Sequence, residues 1–212
     1  MPDRNRDIPR RPATLDDEEV QEIVGDGDPA EDSAAAHASA WALMGVADDE
    51  LTQDMVEALR ATVRTKGVAE IAPIWTRSPD FTLPGALWRL YLLSQWHGRD
   101  PKDVRARFDA GADLINRRDP RDTRGVPDFD RTIADVNALL RGDRTDDDLE
   151  QILGEAARAF GVIAAGSLDG EPWITNDDDP LAHPVTRRAR ALLLTGDELD
   201  QAARRARVGA LD

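Results

Sequence analysis

The side chains that could carry acid–base or metal chemistry are three histidines and several runs of carboxylates. His37, His97 and His183 lie far apart in the sequence, and none stands in the H-E-x-x-H arrangement of zinc proteases. The chain has no cysteine, which excludes disulfides, thiol nucleophiles and cysteine-ligated zinc. His37 is therefore expected to pack on an apolar face and His97 to close a helix, while His183 is the best candidate ligand of the three.

Two acidic runs, 26–32 and 176–179, could in principle hold a hard cation. A calcium loop that began at Asp26 would need an acid or amide at Ala30 and a glycine at Glu31, so the pattern fails there. Phosphate-binding loops, dinucleotide-binding glycines and a G-x-S-x-G nucleophile turn are also absent from the sequence. We predict no catalytic residue, no metal and no cofactor. The alternative is an enzyme of unfamiliar type with a site built from His183, Asp177 and Asp179.

The acidic residues are concentrated in one segment. Between Arg11 and Arg60 there are fourteen acids and no basic residue, whereas the other 28 acids nearly balance the 27 basic residues of the chain. This acidic segment, residues 16–57, therefore carries almost the whole net charge of −15. A surface with this much charge of one sign repels itself, and a basic partner would offset that repulsion.

The acidic segment is predicted to contact a basic surface of another protein. Its partner-binding residues are predicted to be Asp16, Asp17, Glu18, Glu19, Asp48 and Asp49. Direct binding of nucleic acid is not expected, because the isoelectric point is about 4.6 and acids interrupt the arginines near the C-terminus. An alternative is that the acids mimic nucleic acid and compete for a protein that binds it.

A second candidate surface is the stretch 85–97, which concentrates aromatic residues. Trp88, Arg89, Tyr91 and Trp96 are the residue types that dominate binding hot spots, and we predict that they contact the partner. The competing interpretation is a core helix, because this stretch is apolar on nearly every side.

The elements that must position these residues are helices. Apolar residues recur with a helical period from Pro29 to Ala206, and alternation typical of strands is almost absent. We predict an all-α protein of about eight amphipathic helices in one or two small bundles. The predicted organisation is a disordered basic tail at 1–13, an acidic helical half at 14–116, a linker at 117–127 and a second helical half at 128–212.

The periodicity also predicts which faces are buried. The first long helix is expected to bury Ala34, His37, Ala38, Trp41 and Gly45, and the next to bury Leu51, Met55, Leu59 and Thr62 or Val63. Six core residues are predicted further on: Leu87, Leu90, Leu93, Phe108, Leu153 and Phe160. A capping box from Thr195 to Glu198 is expected to separate the last two helices.

A weak internal similarity joins three helix ends. Ala-Leu-Met-Gly at 42–45, Ala-Leu-Leu-Arg-Gly at 138–142 and Ala-Leu-Leu-Leu at 191–194 each precede an acidic stretch and another helix. This similarity indicates either duplication or the common form of antiparallel helical pairs. No stretch reaches the roughly 18–20 apolar residues of a membrane span, and the N-terminus lacks the apolar core of a signal peptide. We therefore expect a cytoplasmic, non-enzymatic regulatory or adaptor protein with no membrane contact.

Overall fold

The computed structural model describes residues 29–47, 51–118, 125–167 and 189–211. Within these ranges 81% of the residues are helical and no strand occurs, which confirms the all-α prediction. About eight helices were expected, and the described ranges contain seven α-helices with three short 3-10 helices. The predicted basic tail 1–13, the core of the linker and the acidic run 176–179 lie outside the described residues.

The described α-helices are numbered in chain order. They are α1 (Pro29–Met44), α2 (Gln53–Lys66), α3 (Leu83–Arg99), α4 (Pro101–Arg118), α5 (Phe129–Leu140), α6 (Leu149–Gly166) and α7 (Ala189–Arg207). The 3-10 helices are Val68–Glu70, Ala72–Trp75 and Asp146–Asp148. In the part of the chain that the structure describes, no helix is both long and apolar enough to cross a membrane.

Helix α3 lies at the centre of the molecule. The Thr82 hydroxyl caps its first turn by accepting the Gly85 N–H at 3.3 Å, and Pro84 fits the first turn because it has no N–H to leave unpaired. From Leu83 to Leu93 every residue except Arg89 is buried. The six predicted core residues are all buried, which confirms this prediction.

Glycines let α6 approach its neighbours closely. Gly111 of α4 faces the backbone of α6, where an added Cβ would lie 2.8 Å from the Val162 carbonyl carbon and 2.9 Å from the Gly166 nitrogen. On another side of α6, a Cβ at Gly196 would lie 3.0 Å from the Ala157 carbonyl oxygen of α6. Because Gly111 and Gly196 have no side chain, α4 and α7 both pack almost backbone to backbone against α6.

Buried side chains from both predicted halves belong to one hydrophobic cluster. It joins Leu43 of α1 and Leu90 of α3 to Leu139 of α5 and Phe160 of α6. Arg117 and Arg118, at the start of the predicted linker, are the last two residues of α4. The division into two halves at 117–127 stays a prediction, because contact between halves does not measure the stability of either one alone.

The predicted break in the last helix is wrong. Helix α7 is continuous through Thr195, whose hydroxyl donates to the Ala191 carbonyl at 2.9 Å instead of capping a new helix. Gly196 lies in the helix interior, where it permits the close contact with α6. A glycine that serves packing therefore resembled a glycine that ends a helix.

The buried faces of α1 and α2 also differ from the predicted ones. In α1 Ala34 is exposed and the inner face is centred on Ala36, Ala40 and Leu43. Alanine occupies both faces of this helix, so its apolar pattern does not distinguish them. In α2 Val63, one of the two predicted alternatives, is buried together with Val56, whereas Met55, also predicted to be buried, is 50% exposed.

Candidate protein-binding surface

The described part of the acidic segment contains four carboxylates. Glu31 and Asp32 lie in the first turn of α1, where the helix dipole favours negative charge, and Asp54 and Glu57 lie on α2. All four side chains are exposed, and none makes an ion pair with a described residue. Asp16, Asp17, Glu18, Glu19, Asp48 and Asp49 lie outside the described residues.

Many carboxylates elsewhere in the described ranges are neutralised by arginine. Eight of the eighteen described carboxylates outside the acidic segment form such pairs, whereas none of the four described carboxylates of the segment does. The pairs are Asp103 with Arg107, Asp109 and Asp130 with Arg105, Asp135 with Arg131 and Arg144, Asp143 with Arg64 and Arg141, Glu150 with Arg207, Glu198 with Arg89, and Asp200 with Arg204.

The arginines of α2 are directed toward another helix. Arg60 Nε and Arg64 Nη2 each donate to the Gly142 carbonyl at 3.1 Å, just beyond the end of α5. This end carries the negative pole of the helix dipole, so two guanidinium groups are favoured there. Neither arginine forms an ion pair with Asp54 or Glu57 of the same helix.

Arg60 lies between two helix ends that share a sequence pattern. Gly45 and Gly142 have φ values of 90° and 71°, which residues other than glycine rarely adopt. The residue after each glycine makes the same backbone bond to the carbonyl five residues back: Val46 N–H donates to Trp41 at 3.0 Å, and Asp143 N–H donates to Ala138 at 2.9 Å. The similarity found in the sequence thus marks two glycine-capped helix ends, but not the third site, where α7 is continuous.

Removing the Arg60 guanidinium is expected to destabilise the protein. Arg60→Met keeps an apolar stem of similar length but deletes the charged donors to Gly142, and such bonds are worth about 1.5–3 kcal/mol. We expect the free energy of unfolding to fall by about 2 kcal/mol in urea titrations followed by circular dichroism. Arg131→Met is the control, because Arg131 is exposed and its pair with Asp135 at 3.5 Å is worth under about 1 kcal/mol. Equal losses in the two variants would contradict this role of Arg60.

The predicted aromatic contact residues lie inside the protein. Trp88, Tyr91 and Trp96 are buried, and burial raises the pKa of the Tyr91 hydroxyl. Arg89 is half-buried, where its Nε lies 2.6 Å from Glu198 Oε2 of α7 and its Nη1 donates to Gly85 at 2.8 Å. These positions fit the core interpretation of α3. A role in partner binding stays a prediction for these four residues.

The two described histidines contact other residues of the helices. His37 Nδ1 lies 2.8 Å from the Ser33 carbonyl one turn back, and the His97 ring meets the Phe129 ring edge to face at 5.8 Å. His183 lies outside the described residues. Within the described ranges, no three histidine or carboxylate side chains gather where they could hold a metal ion.

Three grooves are found on the described part of the surface, and two of them are the larger. One, of about 570 Å³, runs between α6 and α7, and one ion pair crosses it, with Arg207 Nε 2.6 Å from Glu150 Oε1. The other, of about 700 Å³, lies beside the start of α1 and is bordered by Pro29, Pro73 and Ile74. Neither groove includes the aromatic residues predicted as contacts.

Comparisons with known proteins find no relative. No protein-family model, curated protein or solved structure matches this chain.

Proposed function

We propose that this protein is a non-enzymatic regulatory or adaptor protein and that its acidic segment, residues 16–57, contacts a basic surface of a protein partner. The observation that supports the proposal is the charge separation on α2. Asp54 and Glu57 are exposed and make no ion pair with a described residue, while Arg60 and Arg64 of the same helix donate to the Gly142 carbonyl beyond the end of α5. The carboxylates are therefore available to cations of another molecule.

The energetic benefit of such a contact lies mainly in association. Exposed charge pairs contribute little to affinity, typically under about 1 kcal/mol each, because water and salt screen them. A field of one sign nevertheless accelerates encounter with an oppositely charged partner by about 10- to 1000-fold. An acidic segment near the N-terminus is thus suited to rapid, salt-sensitive recruitment of a basic protein.

Neutralising the front of the acidic segment is expected to slow association. The partner is first recovered by affinity purification of the full chain from its own organism and identified by mass spectrometry. Asp16, Asp17, Glu18 and Glu19 are then replaced by asparagine or glutamine. At 0.05 M salt we expect the association rate to fall about tenfold, and near 1 M, where the Debye length is about 3 Å, the difference should vanish.

A matched variant separates the placement of charge from its total amount. Glu70, Asp113, Asp147 and Asp197 are exposed acids outside the segment, and replacing them with the corresponding amides changes the net charge equally. This control is expected to retain most of the association rate. If both variants slow association equally, only total charge matters. If neither does, the acidic segment is not the interface.

A further inference from the structure

The outer face of α2 is unusual for an exposed helix. Apart from two carboxylates, the residues of this face are small or apolar. The face consists of Asp54, Met55, Glu57, Ala58, Ala61, Thr62 and Thr65. All seven are exposed, and Met55 is half exposed although it was predicted to be buried. An ordinary solvated helix face carries lysine, arginine and glutamate in alternation, which keeps apolar atoms apart.

The threonines make this face more apolar than the sequence suggests. Thr62 Oγ1 donates to the Ala58 carbonyl at 2.9 Å, and Thr65 Oγ1 donates to the Ala61 carbonyl at 2.7 Å. Both hydroxyls are thus turned back onto the helix backbone, and the methyl groups remain for the outer surface. Together with Met55 and the alanines, the threonine methyl groups form a shallow apolar surface beside the two carboxylates.

Positive charge is nearly excluded from this face. Arg60 and Arg64 both donate to the Gly142 carbonyl, and Arg64, whose side chain is 49% exposed, lies at the edge of this face near Glu57. Lys66 is the last residue of α2, about 16 Å along the helix axis from Met55. The first two turns therefore present Asp54 and Glu57 as their only charged side chains toward solvent.

We propose that this face of α2 docks a basic amphipathic helix of the partner protein. The inference rests on the proposed function and names the chemistry of the contact. Small side chains allow a second helix to approach to about 8 Å, and its apolar stripe would cover Met55 and the threonine methyls. Lysine or arginine beside that stripe would pair with Asp54 and Glu57, which supplies the charge complementarity that selects this occupant.

The size of the face indicates a modest contact. A row of seven mostly small residues buries a few hundred Å², well below the roughly 800 Å² per partner of a standard stable interface. The helix contact therefore supplies orientation and specificity, while the remaining acids of residues 16–57 supply long-range attraction.

The methionine methyl groups provide a direct test. The chain has three methionines, of which Met44 is buried and Met55 is half exposed, so ¹³C-methyl labelling gives an internal reference and a reporter. The probe is a synthetic 20-residue helical peptide with a leucine and alanine stripe flanked by lysine and arginine. Added to the full chain, it is expected to shift the Met55 resonance and to leave Met44 unchanged. Asp54→Asn with Glu57→Gln is expected to weaken peptide binding by about tenfold.

Several results would overturn the inference. A Met55 resonance that stays still, or one that responds equally to a peptide of the same composition with a scrambled order, shows that α2 does not dock such a helix. A shift that grows with protein concentration alone identifies a second copy as the occupant. If replacing Arg4, Arg6, Arg10 and Arg11 with serine shifts the Met55 resonance in the absence of peptide, the occupant of this face is the chain's own basic tail.

The same measurements distinguish this inference from the proposed function. If Met55 does not respond but the Asp16-to-Glu19 variant still slows association with the partner, only the α2 contact is wrong. If both experiments show no effect, the acidic segment as a whole is not the binding surface.

Discussion

Replacing Gly111 with alanine is expected to lower the free energy of unfolding by about 3 kcal/mol or more, which is a large part of a domain's stability. The new methyl group would overlap the Val162 carbonyl and lie 2.9 Å from the Gly166 nitrogen. These atoms belong to the backbone of α6, so they cannot rotate away as a side chain would. The two helices must separate, and the apolar contacts between them would weaken.

A glycine in α6 provides the control for this substitution. An added Cβ at Gly161 meets no atom within 4 Å, so Gly161→Ala gains helix propensity without a clash. We expect the free energy of unfolding to rise by about 0.5–1 kcal/mol, as alanine restricts the unfolded chain. Urea titrations of both variants measure the contrast. A Gly111→Ala protein as stable as the wild type would show that α4 and α6 do not approach as described.

Truncating Leu90 is expected to have an effect of similar size. Leu90 is fully buried at the centre of α3, and a leucine-to-alanine change in a core typically costs about 2–5 kcal/mol. The loss combines the transfer free energy of the removed methyl groups with the cavity that remains between α3 and its neighbours. Thermal denaturation followed by circular dichroism is expected to show a melting temperature lower by several degrees.

Leu193→Ala makes the same chemical change on the surface. Leu193 is 51% exposed on α7, and alanine is the better helix former, so we expect a change within about 0.5 kcal/mol. Melting of Leu90→Ala within a degree or two of the wild type would contradict the central position of α3. A large loss in Leu193→Ala would indicate that a further part of the chain covers this leucine.

The stability experiments and the binding experiments address different parts of the molecule. Gly111 and Leu90 lie in the helical core, whereas Asp54, Met55 and Glu57 lie on the outer face of α2. Substitutions on that face are therefore expected to change partner binding with little loss of stability. This separation allows a binding defect to be interpreted without ambiguity from unfolding.

The charge distribution illustrates what a linear pattern leaves out. The run of acids without bases is visible in the sequence, and it led to the proposed function. Its consequence for α2 depends on Arg64 and on Arg60, which follows Glu57 by three residues and would be expected to pair with it by helical spacing. Only the position of α5 shows that these arginines bind its carbonyl end and leave Asp54 and Glu57 exposed.

The sequence by itself determined the helical fold, most of the helix boundaries and the burial of α3, because a helix that is apolar on every side has only one stable environment. It did not determine which faces of α1 and α2 are buried. Helix α1 is rich in alanine and has no dominant apolar stripe, and the orientation of α2 depends on the contacts of Arg60 and Arg64 with Gly142. Gly196 looked like a helix end, because sequence spacing does not distinguish a glycine that breaks a helix from one that lets another helix approach. Tertiary contacts decided these points, since the inward side of a weakly patterned helix depends on the partners available in space.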